Sequence, residues 1–226
     1  MRFNLPFFGK KKIISECNVP ARYDIQGENN KIIIVEEDGT ERELGKDERI
    51  EGLNVIVHGN ENLIKIDSSA RFNASFELNT NNCQIQIGKN VNLTNSRINF
   101  WKKANNSNVK IGNNFSTGGM EIAFSQGNSS LVIADDCIAS SHIIFWVGDG
   151  HEILKDGSVI NDSPVQVEIG KHSWIGYNSI FTKNASLAEN TIVAANSVVT
   201  KVFTEKNIVI AGNPAQIVKT DITWRN

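Results

Sequence analysis

Four histidines, His58, His142, His151 and His172, are the side chains of this sequence best suited to moving protons near neutral pH. Their contexts differ. His151 sits in the run Gly148-Asp149-Gly150-His151-Glu152, at the glycine-rich start of a stretch where regular patterning stops. A general base needs a side chain poised near neutrality and a ring that reaches a hydroxyl proton, and an imidazole on a loop over a rigid scaffold meets both demands. His172 occupies a place that Asn fills in the repeats that follow, so a structural role is expected. His142 heads an apolar run, which favours a hydrogen-bonded, partly buried ring, and His58 reads as a surface or capping residue. The thiols Cys17, Cys83 and Cys137 are widely spaced and form no Cys-x-x-Cys pair. That argues against a disulfide framework or a zinc cluster and fits buried cysteines in a reducing compartment.

The elements that position these residues are set by a repeat of six. From Ile169 the chain reads IGKHSW, IGYNSI, FTKNAS, LAENTI, VAANSV and VTKVFT without a gap. The first place is always bulky and apolar: Ile169, Ile175, Phe181, Leu187, Val193 and Val199. The second is Gly, Ala or Thr, and the fifth is small until Phe203. The fourth is Asn at 178, 184, 190 and 196, a residue that tolerates left-handed backbone. A helix would repeat its apolar residues at three and four, and an amphipathic strand at two, so a period of six fits neither. It predicts a triangular coil, three sixes to a turn, whose short strands stack in parallel about 4.8 Å apart. The same signature recurs as IGKNVN at 87–92, IGNNFS at 111–116 and IADDCI at 133–138, and about six or seven coils are expected. Trp174 is the sixth residue of its hexad, next to the inward-facing fifth, and alternation aims it outward, where its apolar surface calls for cover from a ligand or another subunit.

The remaining boundaries follow from where the sixfold register fails. Residues 1–50 lack it and are expected to cap the coil, with KIIIVEEDGTEREL forming two strands around an Asp38-Gly39 turn. Residues 51–210 form the coil, interrupted by a loop over 146–164, and 211–226 are a C-terminal tail. The 23 basic and 25 acidic side chains nearly cancel, which makes nucleic acid an unsuitable partner. The longest apolar run, Ile143 to Val147, is far too short to span a membrane. Lys10, Lys11 and Lys12 follow the apolar Phe3, Leu5, Phe7 and Phe8, the reverse of a secretory signal, so a cytoplasmic location is expected.

Over roughly residues 55–219 the sequence resembles the hexapeptide-repeat acyltransferases, carried most strongly by HSWIGYNSIF, LAENTIVAANSVVTK and VIAGNPAQIVK. The resemblance implies an all-β fold, a left-handed parallel β-helix with a small N-terminal cap and a protruding active-site loop. It implies a homotrimer with active sites between subunits and acetyl-CoA as acyl donor. Within the family, Asp149-Gly150-His151 followed 23 residues later by Trp174 resembles sugar O-acetyltransferases, notably those modifying polysialic acid and other bacterial surface glycans. The resemblance makes His151 the base and puts Trp174 beside acceptor and thioester. It also assigns CoA contacts to Tyr177, Ala195, Thr200, Lys201 and Lys219. Gln216 replaces a basic residue common in the family, and VFTEKN replaces a proline-containing linker after Thr200-Lys201.

Two other readings share the scaffold. An N-acetyltransferase of an amino nucleotide sugar would use the same donor, and the Asp149-Gly150-His151 loop with Trp174 favours the hydroxyl acceptor instead. A trimeric zinc lyase of the carbonic-anhydrase type needs three convergent histidines, and the spacing of His58, His142, His151 and His172 offers no such set, so no metal is expected.

Overall fold

The structure, a computed structural model, describes residues 14–16 and 21–225. The lysine run at 10–12 and Cys17 lie outside the described residues. Every regular element described is a β-strand, and most of them wind a left-handed parallel β-helix of triangular section. The first face stacks Lys31–Val35, Leu63–Asp67, Gln84–Ile87, Asn108–Ile111, Ser130–Ile133, Gln166–Ile169, Ser186–Leu187 and Val202–Phe203 in parallel. The second holds Ser116–Thr117, Ile138–Ala139, Trp174–Ile175, Ile192–Val193 and Val209–Gly212. The third runs from Tyr23–Gln26 and Leu53–His58 through Met120–Phe124 and Ile143–Val147 to Ile180–Phe181 and Val198–Val199. Two long strands, Arg71–Leu78 and Asn92–Phe100, turn the corner and serve both of these faces, with a register shift between Leu93 and Ser96.

Eight strands stack on the first face, so the prism is deeper than the six or seven coils the repeat predicts. The added depth is N-terminal. Tyr23–Gln26 and Lys31–Val35 already lie parallel on the next coil, and their inward residues are too unevenly spaced in sequence to show a period. The Asp38-Gly39 turn is as expected, and the hairpin it makes places Glu41–Glu43 antiparallel on Lys31–Val35. At the other end Ala215–Lys219 pairs antiparallel with Val209–Gly212. Each terminal coil therefore gives its ladder an antiparallel partner and exposes less unpaired backbone.

The hexad explains the section. First-place residues Ile169, Ile175, Phe181, Leu187, Val193 and Val199 are all buried, and so are the fifth-place Ser173, Ser179, Ala185, Thr191 and Ser197. Where the second place is glycine the next coil's backbone is close: a Cβ on Gly176 would stand 2.6 Å from the Val193 carbonyl oxygen. The fourth place turns the corner in left-handed backbone, with φ of 57° at His172 and 56° to 58° at Asn178, Asn184, Asn190 and Asn196. Corner side chains then bond down the prism. Asn90 donates to Asn114 at 3.1 Å and Asn114 to Asp136 at 2.8 Å, while Asn178 donates to Asn196 at 2.9 Å. Inside, Phe100 stacks on Phe124 at 4.4 Å and Phe145 on Phe181 at 4.7 Å.

Candidate active site

The strand Ile143–Val147 carries Phe145 and Val147 inward by ordinary alternation, and the chain leaves the coil at Gly148. Gly148 has φ +129°, and a Cβ there would fall 2.4 Å from Ser125 Oγ, so only glycine lets the chain turn out at this point. Ser125, buried on the preceding coil, accepts a hydrogen bond from the Gly150 N–H at 3.0 Å and anchors the root of the loop. Beyond His151 the loop folds on itself as a small hairpin, Leu154–Lys155 against Ser158–Val159. Its turn is Asp156-Gly157, both with positive φ, the backbone that a tight two-residue hairpin demands. Asn161 then binds three points of the outgoing strand. Its Nδ2 donates to the His151 carbonyl at 2.9 Å and to Asp149 Oδ2 at 2.8 Å, and its Oδ1 accepts from the Ile153 N–H at 2.8 Å.

Asp149 is also ion-paired with Lys183 from the next coil. Partial burial works against its charge, but the hydrogen bonds from Lys183 and Asn161 prevail and hold its carboxyl below the usual aspartate range. The carboxylate is thus spent on the loop. His151 itself is exposed, and no hydrogen bond to its ring is found among the described residues. It projects beside a cleft of about 360 Å³ whose walls include Trp101, Trp146, Ser125, Thr182 and Lys183.

Trp174 points outward, 41% exposed, as alternation requires. The tail returns along the prism to meet it. Trp224 stacks flat on His172, ring centroids 4.3 Å apart, donates from its indole nitrogen to the His172 carbonyl at 2.8 Å, and lies 6.2 Å from the Trp174 ring. His172 is therefore a corner residue and a shelf for the tail, with its ring also 3.0 Å from Asn190 Oδ1. The chain does not bring His151 and Trp174 together. His151 leaves at the corner where the third face meets the first, and Trp174 starts the second face, so the two stand at opposite edges of the first face.

The residues assigned to CoA fall in three groups. Tyr177 and Ala195 are exposed and stacked at the corner between second and third faces, where the Asn196 N–H donates to the Tyr177 carbonyl at 2.8 Å. Thr200 and Lys201 follow the third face, with the Lys201 amine 2.9 Å from Gln216 Oε1 and 5.1 Å from the Phe203 ring centroid. Lys219 sits on the closing hairpin opposite Val209. An exposed aromatic, a small residue and two exposed lysines suit the adenine, pantetheine and phosphates of a CoA thioester.

Of the other histidines, His58 is exposed and pairs with Asp24 at 3.3 Å. His142 departs from its expectation: it is an exposed corner residue with φ 61°, its ring 5.0 Å from Tyr177 in an edge contact, because the coil turns there and the strand begins one residue later. Sequence reasoning did not find Asn161, Ser125, Lys183 or the pair Trp101 and Trp146. The Asp156-Gly157 turn was a readable sign of an ordered hairpin; the partners of the loop lie on other coils and left no local sign.

Fold and site together describe a hexapeptide-repeat β-helix with a histidine-bearing side loop. No family model matches the chain. The galactoside O-acetyltransferase of Escherichia coli strain K12 is 27% identical over 124 residues, 50% of this chain and 54% of that protein. The match thus spans about half the length of that curated relative. Among solved structures, the polySia specific acetyltransferase NeuO superposes with a TM-score of 0.74 at 22% identity, covering 90% of this chain and 88% of that one. The polysialic acid O-acetyltransferase OatWY gives 0.68 at 23% identity, covering 90% and 86%. In fold, the chain resembles these hexapeptide-repeat O-acetyltransferases over nearly its whole length.

Proposed function

We propose that the protein is an O-acetyltransferase that moves acetyl from acetyl-CoA to a hydroxyl of a bacterial surface or capsular sugar. The observation that carries this is the presentation of His151: an exposed imidazole with no hydrogen-bond partner among the described residues, on a loop fixed at its root by Ser125 and along its length by Asn161. In direct transfer the sugar oxygen attacks the thioester carbon while His151 takes its proton. The tetrahedral intermediate collapses, the carbon–sulfur bond breaks, and the proton passes from His151 to the CoA sulfur. Acid–base help of this kind is worth about 10² to 10⁴ in rate.

The working unit is a homotrimer. Because His151 and Trp174 occupy opposite edges of one face, a neighbouring copy is what can set a Trp174 indole against a His151 ring, with its N–H free to meet the oxyanion. Tyr177, Ala195, Thr200, Lys201 and Lys219 hold the CoA in the groove between copies. Residues 51–210 together with Lys219 supply this machinery, the Lys31–Val35/Glu41–Glu43 hairpin closes the first coil, and the Val209–Gly212/Ala215–Lys219 hairpin closes the last. No helix among the described residues is long and apolar enough to cross a membrane. The buried, unpaired Cys83 and Cys137 suit a cytoplasmic enzyme.

The test is His151→Ala. Transfer should fall by about 10² to 10⁴ while the variant elutes and melts as the parent does. Retention of more than about a tenth of the activity removes His151 as base. Assays with amino sugars beside hydroxyl acceptors separate oxygen from nitrogen transfer, and exclusive nitrogen transfer would overturn the reading.

A further inference from the structure

We infer that Trp101 and Trp146 form a stacking platform for the ring of an uncharged pyranose beside His151, so that the acceptor is a neutral sugar. The inference rests on the acetyltransferase reading and narrows its acceptor. Its first support is the shape of the third face. Trp146 lies on Ile143–Val147 in register with Ala123, and the Trp101 N–H donates to the Phe124 carbonyl at 2.9 Å, which sets Trp101 beside Ser125. The strand between the two indoles thus offers only Ala123 and Ser125, both small and buried, and the floor between the rings stays low. The indoles meet at 72° with centroids 6.0 Å apart, forming a corner rather than a closed stack, and Trp101 remains 38% exposed. The exposed Trp101 beside the partly buried Trp146 leaves apolar ring surface at the mouth of a cleft, which is costly unless something apolar covers it. A pyranose suits the shape, since its C–H face is apolar and its rim carries hydroxyls.

The second support is charge. The cleft is bounded by one cation and one anion, Lys183 and Asp149, and they neutralise each other. Lys103, on the loop's other flank, is paired with Glu152 at 3.1 Å. A sugar carboxylate needs a lysine or a bidentate arginine that is not already engaged. What the cleft offers instead is neutral hydrogen bonding, from Ser125 and Thr182, and the His151 ring.

The test uses the full chain with acetyl-CoA and two sets of acceptors: methyl glycosides of glucose, galactose and mannose, and an α2,8-linked trimer of sialic acid. Transfer is expected to at least one neutral glycoside. Trp101→Ala and Trp146→Ala should each raise the KM for that glycoside about tenfold or more, with the KM for acetyl-CoA within twofold, and Trp101→Phe should recover most of the loss. Titration of indole fluorescence with the same glycosides reads binding without chemistry. Transfer to the sialic acid trimer alone, or Trp variants with unchanged acceptor KM, overturns the inference and leaves the enzyme reading standing. Saturable quenching by a neutral glycoside without transfer to any acceptor upholds the platform and sinks the enzyme reading. Neither quenching nor transfer sinks both.

Discussion

Asn161→Ala isolates the positioning of His151 from its chemistry. The amide makes three hydrogen bonds, to Asp149, to the His151 carbonyl and from the Ile153 N–H, and all three hold the outgoing strand of the loop. An intramolecular hydrogen bond contributes about 0.5–1.5 kcal/mol net, and the low end applies here because the loop is exposed and water replaces the lost partners. At that low end three such bonds amount to about 1.5 kcal/mol of local order, or a factor of about 13 in the population of the held conformation. kcat/KM should therefore drop by about tenfold, well short of deleting the imidazole. The coil below does not depend on this residue, so the melting temperature should move by less than about 2 °C, while hydrogen exchange over 149–160 accelerates. Asn161→Asp should be at least as damaging, since it keeps the acceptor for Ile153 but sets a second carboxylate against Asp149 where the amide sits at 2.8 Å. Kinetics of purified variants with exchange mass spectrometry measure both quantities. Activity within twofold of the parent, with a visibly loosened loop, would refute the claim that loop order sets the rate.

Phe181→Ala removes a fully buried ring stacked on Phe145 and should cost about 3–5 kcal/mol, read as a lowered urea midpoint with the β-rich circular dichroism retained at low denaturant. Burial pushes the thiols of Cys83 and Cys137 up to about 11, so an aromatic disulfide reagent at pH 8 should modify neither until denaturant is added; rapid native labelling of either would contradict their place in the core. Asp149 contributes loop stability that is fully present above the ordinary aspartate value of about 3.9 and is lost as pH falls through its own lower value. Exchange over the loop, corrected for its intrinsic pH dependence, should stay flat from pH 7 to 5 and rise only below about pH 4, and Asp149→Asn should abolish that rise.

The architecture was legible because the coil is local: a hexad states its own apolar wall, its small second and fifth places and its corner within six residues. Asn178, Asn184, Asn190 and Asn196 gave away the left-handed corners without any knowledge of the partner strands. The N-terminal coils were harder to read, since Ile34, Ile66 and Ile87 stack on one wall yet are unevenly spaced in sequence. His151 and Trp174 stood out by violating the pattern, one through a broken register and the other through a large outward side chain. Their supports did not. Ser125, Lys183 and Trp101 are separated from the loop by one or two turns of the coil, and the return of Trp224 onto His172 depends on a tail with no periodicity. His142 misled because an apolar run begins directly after it, and the corner position that decides its exposure is set by Asn178 and Asn196 on the coils below.

The loop enters and leaves the prism without disturbing it. Ser130–Ile133 pairs with Gln166–Ile169 residue for residue, in the same parallel register found where no excursion intervenes. An insertion of this sort costs the scaffold little, because closing a longer loop adds only about 0.6 kcal/mol for each doubling of its length. Residues 148–164 are thus a cassette: they can be lengthened, shortened or exchanged while the stacked coils beneath are left unchanged. Variation can then be confined to one segment, without refounding the protein that bears it.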